Sequence, residues 1–154
     1  MRFLHLSDLH LGKRVCEFSM LDDQRYILEE ILSLLDTRPV DAVLLAGDLY
    51  DKPVPPAEAV RLLDWFLTEL ADRKLPVFAI SGNHDSAERV AFGAHLLAGS
   101  QVYVSPVFEG APAPIPLTDA YGPVDIYLLP FLKPAMVRPI YPDEPIESYS
   151  DALG

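Results

Sequence analysis

Hydrophobic and polar positions along the first hundred residues switch repeatedly between two periods. Residues 2–6 carry apolar Phe3, Leu4 and Leu6 in a short run that reads as a strand. From Met20 to about Leu35 the spacing becomes helical, with Ile27, Leu28, Ile31, Leu32 and Leu35 on one face. Ser19 is the expected cap, and Asp22 and Asp23 sit where unpaired backbone N–H groups favour negative charge. Asp41 to Ala46, DAVLLA, is a short apolar strand. Pro55 and Pro56 then open a helix running to about Asp72, since proline is tolerated where the first N–H groups have no partner. Ala59, Leu62, Leu63, Phe66 and Leu70 form its apolar face, and Arg73 and Lys74 suit its C-terminus. Val77–Ile80 is the next strand. A helical stretch follows over 87–98, bent at Gly93 and stopped near Gly99, and Val102–Val104 is a further strand.

Strands alternating with helices predict an α/β fold with a largely parallel sheet, and continuous apolar strands suit a sheet buried on both faces. The pattern fails after Ser105. Ten prolines fall between Pro106 and Pro145. One strand is expected at Asp125 to Leu129. Residues 133–154 read as irregular crossing chain without a core of their own.

Composition narrows the class. A chain of 154 residues, half of them apolar, supports one globular domain. The single Cys16 forms no internal disulfide and is compatible with a reducing cytoplasm, the expected location. Asp8 and His10 interrupt the N-terminal apolar stretch too early for a signal peptide. No run approaches a membrane span, and nothing repeats at a fixed period. The formal charge of -11 is unusual for a nucleic-acid binder. It implies a phosphate substrate reached through bound metal, or a DNA-holding surface located elsewhere.

Three polar clusters occupy equivalent places. Asp8 and His10 follow the first strand, Asp48 the second, and Asn83 and His84 the third. Open parallel sheets bind ligands at the carboxyl ends of their strands, so the fold would gather these residues. Carboxylate, amide oxygen and imidazole together suit divalent ions. Asp48, ending the central strand, is the best bridge between two ions roughly 3.5–4 Å apart. Gly47 would let the backbone turn sharply toward them. Such a pair lowers the pKa of a bound water and stabilises charge on phosphate oxygens.

The clusters read Asp8-Leu9-His10, Gly47-Asp48-Leu49-Tyr50-Asp51 and Gly82-Asn83-His84-Asp85. In this order and spacing they resemble the calcineurin-like metallophosphoesterase family. The segments HLSDLHLGKR at 5–14, AGDLYDKPVPP at 46–56, SGNHDSAERVAFG at 81–93 and LLPFLKPAMVR at 128–138 are similar to its DNA-nuclease branch. That branch comprises bacterial nuclease subunits related to those of the archaeal and eukaryotic break-repair complex. The resemblance implies a layered α/β sandwich of which this chain supplies the N-terminal sheet and flanking helices. Residues 1–154 would be the N-terminal part of the nuclease domain, with its second half and its DNA-capping and partner-binding regions absent.

The resemblance also implies roles. Asp8 and His10 would bind a first metal, Asp48 would bridge, and Asn83 would bind the second, the ions being Mn2+ or alternatively Mg2+. His84 would stabilise the phosphate transition state or protonate the leaving 3′ oxygen. Asp85 would orient His84, or alternatively cap the following helix. Lys13 and Arg14 would contact DNA phosphates, or form a solvated loop. His5 would sit behind the ligands or be buried in the first strand. Asp51 would support the site or serve a turn, and His95 is structural. The family pattern needs three further histidines that cannot be assigned among His5, His10, His84 and His95, so each metal is expected to lose part of its shell. The implied activity is DNA exonuclease and endonuclease cleavage in end processing and repair. The implied partners are DNA, an ATPase subunit and a second copy of the chain, with no membrane. The alternatives are a small-molecule metallophosphodiesterase, or a non-catalytic binding or assembly piece.

Overall fold

The computed structural model describes residues 1–153. Four parallel strands form its centre: β1 (Phe3–Leu6), β4 (Ala42–Ala46), β5 (Val77–Ile80) and β6 (Val102–Val104), in the spatial order β1-β4-β5-β6. Between β1 and β4 lie a small hairpin, β2 (Arg14–Val15) with β3 (Phe18–Ser19), and helix α1 (Leu21–Thr37). Helix α2 (Ala57–Asp72) links β4 to β5, and two short helices, α3 (Ala87–Val90) and α4 (Ala94–Ala98), link β5 to β6. The predicted bend at Gly93 is a break between helices, with Gly93 at φ 75°.

The pleat sorts the strand side chains. Val43, Leu45, Val77, Ala79 and Val102 point to one face, where they meet Leu28, Leu32 and Leu35 of α1 and Leu62, Leu63, Phe66 and Leu70 of α2. Phe66 and Leu70 are completely covered, and burying side chains of this size contributes about 1.5–3 kcal/mol each before entropy. Arg73 ties the two helices, donating to the carboxylates of Asp36 at 2.9 Å and Glu69 at 2.8 Å. Those bonds hold Asp36 below the usual carboxylate range and raise the Arg73 guanidinium. The cap of α1 differs from expectation. Met20 occupies the cap position without a side-chain bond, and Ser19, one residue earlier in β3, accepts the Leu21 N–H through its hydroxyl at 3.4 Å.

Ala42 and Phe78, on the opposite face, pack with Leu128 and with Ile115, Leu117 and Ile126. The last three belong to an antiparallel hairpin, β7 (Ile115–Asp119) with β8 (Gly122–Ile126). The strand expected at 125–129 therefore starts and ends earlier, and it has a partner that the local pattern does not announce. Each strand contains a proline, Pro116 and Pro123, which a two-stranded ribbon accommodates because one edge of each strand is unpaired. The tail also departs from expectation. Helices α5 (Pro134–Val137) and α6 (Tyr149–Leu153) gather Leu132, Val137 and Ile146 into a small core with Phe108 and Ala152. Among the described residues, no helix is long and apolar enough to cross a membrane.

Candidate metal centre

Three loops leave the carboxyl ends of β1, β4 and β5 and converge. The first is held by Leu11, which is almost completely buried and bridges Tyr50 of the second loop in parallel fashion. Its backbone docks through Asp8 N to Gly47 O (3.1 Å), His10 N to Asp48 O (2.9 Å) and Leu11 N to Leu49 O (2.9 Å). Asp8, His10 and Asp48 all take left-handed backbone angles, with φ of 56°, 42° and 50°. Such angles are uncommon outside glycine, cost of order 1–3 kcal/mol each, and cluster at functional sites.

Gly47 and Gly82 explain how the second and third loops come so close. A Cβ at Gly47 would lie 3.0 Å from the Gly82 Cα, and one at Gly82 would overlap the Asp48 carboxylate and backbone nitrogen. Asp48 is buried against this junction, and its Oδ1 accepts the His84 N–H at 2.9 Å. Its Oδ2 lies 3.8 Å from His10 Nε2, and Asp8 Oδ1 lies 3.7 Å from the same nitrogen. The His10 and His84 rings meet edge to face with centroids 4.8 Å apart. Ligand atoms of His10, Asp48 and His84 all lie within 4.8 Å of one another. Asn83 lines the adjoining cleft of about 290 Å³ with Asp8 and Asp48. A larger hollow of about 790 Å³ lies between the two tail helices and is mostly apolar, so the chemistry belongs to the smaller one.

Two carboxylates face one imidazole nitrogen here at distances too long for hydrogen bonds. The other imidazole nitrogen, His10 Nδ1, is buried without a hydrogen-bond partner; the nearest carboxylate, that of Asp51, is 3.7 Å away. A cation between His10 Nε2 and the Asp8 and Asp48 carboxylates would compensate those facing groups, whereas Nδ1 points to the other side, toward Asp51. Carboxylate and imidazole donors, with an amide at the rim, fit a divalent ion.

His84 is exposed, and its Nδ1 lies 3.1 Å from the carbonyl oxygen of Asp51. A carbonyl only accepts, so Nδ1 carries the proton of that bond. The carboxylate expected beside the imidazole is engaged elsewhere. Asp85 accepts from Leu49 N at 3.0 Å, Tyr50 N at 2.9 Å and Gly82 N at 2.8 Å. It clasps the second loop to the third and does not touch the His84 ring; the cap of α3 is Ser86. Burial, and after it the negative charges of Asp85 and Asp64, push the Tyr50 hydroxyl up to about 12.

The remaining candidates scatter. Lys13 and Arg14 are exposed at the start of the β2–β3 hairpin, Arg14 donating to the Glu17 carbonyl. His5 is exposed on β1 instead of buried, and His95 is exposed on α4. Two residues gain importance. Asp51 gives its carbonyl to His84 and aims its carboxylate toward His10. Gln24 of α1 bonds the backbone of the first loop. Its signal in the sequence is phase: it lies four residues before Leu28, in register with the buried stripe of α1.

Comparison with known proteins agrees with this geometry. The family model of the calcineurin-like phosphoesterases matches residues 1–136. The chain belongs to that family. Within the family it is similar to the SbcD subunit of the nuclease SbcCD from Staphylococcus epidermidis, at 35% identity over 154 residues, covering 99% of this chain and 40% of that protein. It is also similar to the same nuclease subunit from Staphylococcus saprophyticus, at 32% identity with the same coverage. This calcineurin-like chain thus spans about two fifths of the length of these curated relatives. Members of the family use divalent metals, in accord with the donor set of the three loops.

Proposed function

We propose that this chain carries the N-terminal, metal-binding part of a manganese-dependent DNA nuclease subunit that works in DNA end processing with an ATPase partner of the SbcC type. The observation supporting this most is the convergence of Asp8, His10, Asp48, Asn83 and His84 at the carboxyl ends of three adjacent strands. The substrate class rests on similarity to the two nuclease subunits. A cytoplasmic setting follows from a DNA substrate in a bacterial type of complex.

Asp8, His10, Asp48 and Asn83 would hold the divalent ions, with Asp48 placed between the other donors. Bound divalent ions supply charge for the phosphate oxygens and lower the pKa of a water. His84, tethered through Nδ1 to Asp51, keeps Nε2 for the substrate. When protonated, it donates there to the phosphate or to the departing 3′ oxygen. Asp85 contributes by fixing the loop that carries Asp48. Lys13 and Arg14 contact phosphates beside the site, and the ATPase partner contributes the remaining basic surface that a chain of charge -11 lacks.

Homodimer formation uses the groove of about 450 Å³ bounded by α2, α3 and α4. Val60, Phe92 and Leu96 stand exposed there, the last two by 84% and 85%. Apolar groups so exposed on neighbouring elements suit a second copy of the chain.

The protein expressed from its complete reading frame tests the reading. With manganese it is expected to cut linear duplex DNA, faster with the ATPase partner, and to act poorly on a small chromogenic diester. Hydrolysis of the small diester with no DNA cleavage would overturn the proposal.

A further inference from the structure

The first loop presents its donors through an unusual backbone. Left-handed angles at Asp8, His10 and Gly12 (φ 88°) turn successive peptide groups in different directions. The N–H groups of residues 8, 10 and 11 find carbonyls of the second loop. The opposite side of the loop is met by one side chain. Gln24 accepts Gly12 N–H at 3.0 Å through Oε1, and its Nε2 donates to Leu9 O at 3.1 Å and His10 O at 2.8 Å. Both amide protons and the amide oxygen are therefore used.

We infer that Gln24 is a positioning residue of the metal centre, acting through the backbone of residues 9–12 to hold Asp8 and His10 in place. The inference rests on the metal-binding reading above. Three features support it. Gln24 occupies the phase of the buried stripe of α1, where an apolar residue would serve packing better. The strained angles at Asp8 and His10 need outside constraints to persist, and Gln24 supplies the ones the second loop does not. Mutating groups that orient metal ligands from behind typically costs about 10–100-fold in metal affinity. The chemistry is specific to an amide. A glutamate keeps the bond to Gly12 yet sets a carboxylate oxygen against the Leu9 and His10 carbonyls. A methionine of similar length makes none of the bonds.

The test is a manganese titration of the 154-residue chain, with free ion read by electron paramagnetic resonance, for wild type, Gln24→Glu and Gln24→Met. Circular dichroism and thermal unfolding establish that each variant is folded at the titration temperature. Both variants are expected to bind manganese about tenfold to 100-fold more weakly while folded. The signal of the remaining bound ion should broaden as the loop gains freedom. In the complete protein, excess manganese should restore turnover of Gln24→Met. Gln24→Glu matches the native side chain in size, and it decides the matter if Gln24→Met does not fold. Wild-type affinity in a folded Gln24→Glu variant would overturn the inference and leave the metal reading intact. A wild-type chain taking up no manganese would instead overturn the metal reading, and this inference with it.

Discussion

Residues 1–104 and residues 105–153 solve the problem of burial differently. The first region pairs four parallel strands and covers one face with two long amphipathic helices, producing a single large core. The second builds a separate hairpin and a three-residue core around Leu132, Val137 and Ile146. Every candidate donor lies in the first region. The second contributes one wall, where Leu129, Pro130 and Phe131 line the cleft and Phe131 N–H bonds Ser81 O at 2.9 Å. Parallel strands backed by the large core carry the loops with the donors, whereas a proline-rich cover with a small core shapes the opening. Chemistry and enclosure are therefore assigned to regions with cores of unequal size.

The largest expected effect separates chemistry from both. In the complete protein, His84→Ala should lower turnover by about 10²–10⁴-fold while manganese affinity, read by calorimetry, stays close to wild type. Loss of the metals in that variant would make His84 a ligand. Next comes the core of the first region. Phe66→Ala removes a fully buried ring beneath the sheet and should cost about 3–5 kcal/mol in denaturant unfolding, weakening the centre as well. Leu132→Ala, in the small core, should cost nearer about 2 kcal/mol. Hydrogen exchange should then rise over residues 105–153 and leave β4 and β5 protected. Equal exposure of both regions would show that they unfold as one unit.

These contrasts are only partly legible in the sequence. Val77–Ile80 and Val102–Val104 end as strands where their apolar runs end, and α2 starts directly after Pro56, because buried strands and proline leave strong local signals. The β7–β8 hairpin escapes because Pro116 and Pro123 argue locally against strands, and only the pairing in space overrides them. The two-residue strands β2 and β3 are too short to show a period. At the centre, the polar residues after each strand are legible as a set, since strand ends place them. The partner of Asp85 is not. Its three acceptor bonds go to backbone groups 35 and 36 residues earlier and to Gly82 three residues before it, and backbone carries no residue-type signal.

The smallest predicted effect concerns the seam between the regions. The N-terminal ammonium bonds the Asp119 carboxylate at 2.8 Å, joining β1 to the β7–β8 hairpin. This bond raises the ammonium and lowers the carboxyl. A lowered carboxyl contributes above its ordinary pKa of about 4 and is lost as acid protonates it; a raised amine contributes below about 8 and is lost in base. Protection of hairpin amides should therefore be greatest between those limits. Acetylation of the N-terminus should remove the dependence, and an unchanged profile would show that the seam is held by apolar contact alone.

As proposed above, three loops of the first region form a divalent metal centre hinged on Asp48. A calorimetric manganese titration of the 154-residue chain and of Asp48→Asn tests it most directly. Wild type should show weak but saturable binding, with fewer than two tight sites, and a folded Asp48→Asn variant should lose it. Binding that survives this substitution unchanged, or a wild-type chain that binds no manganese, would contradict it.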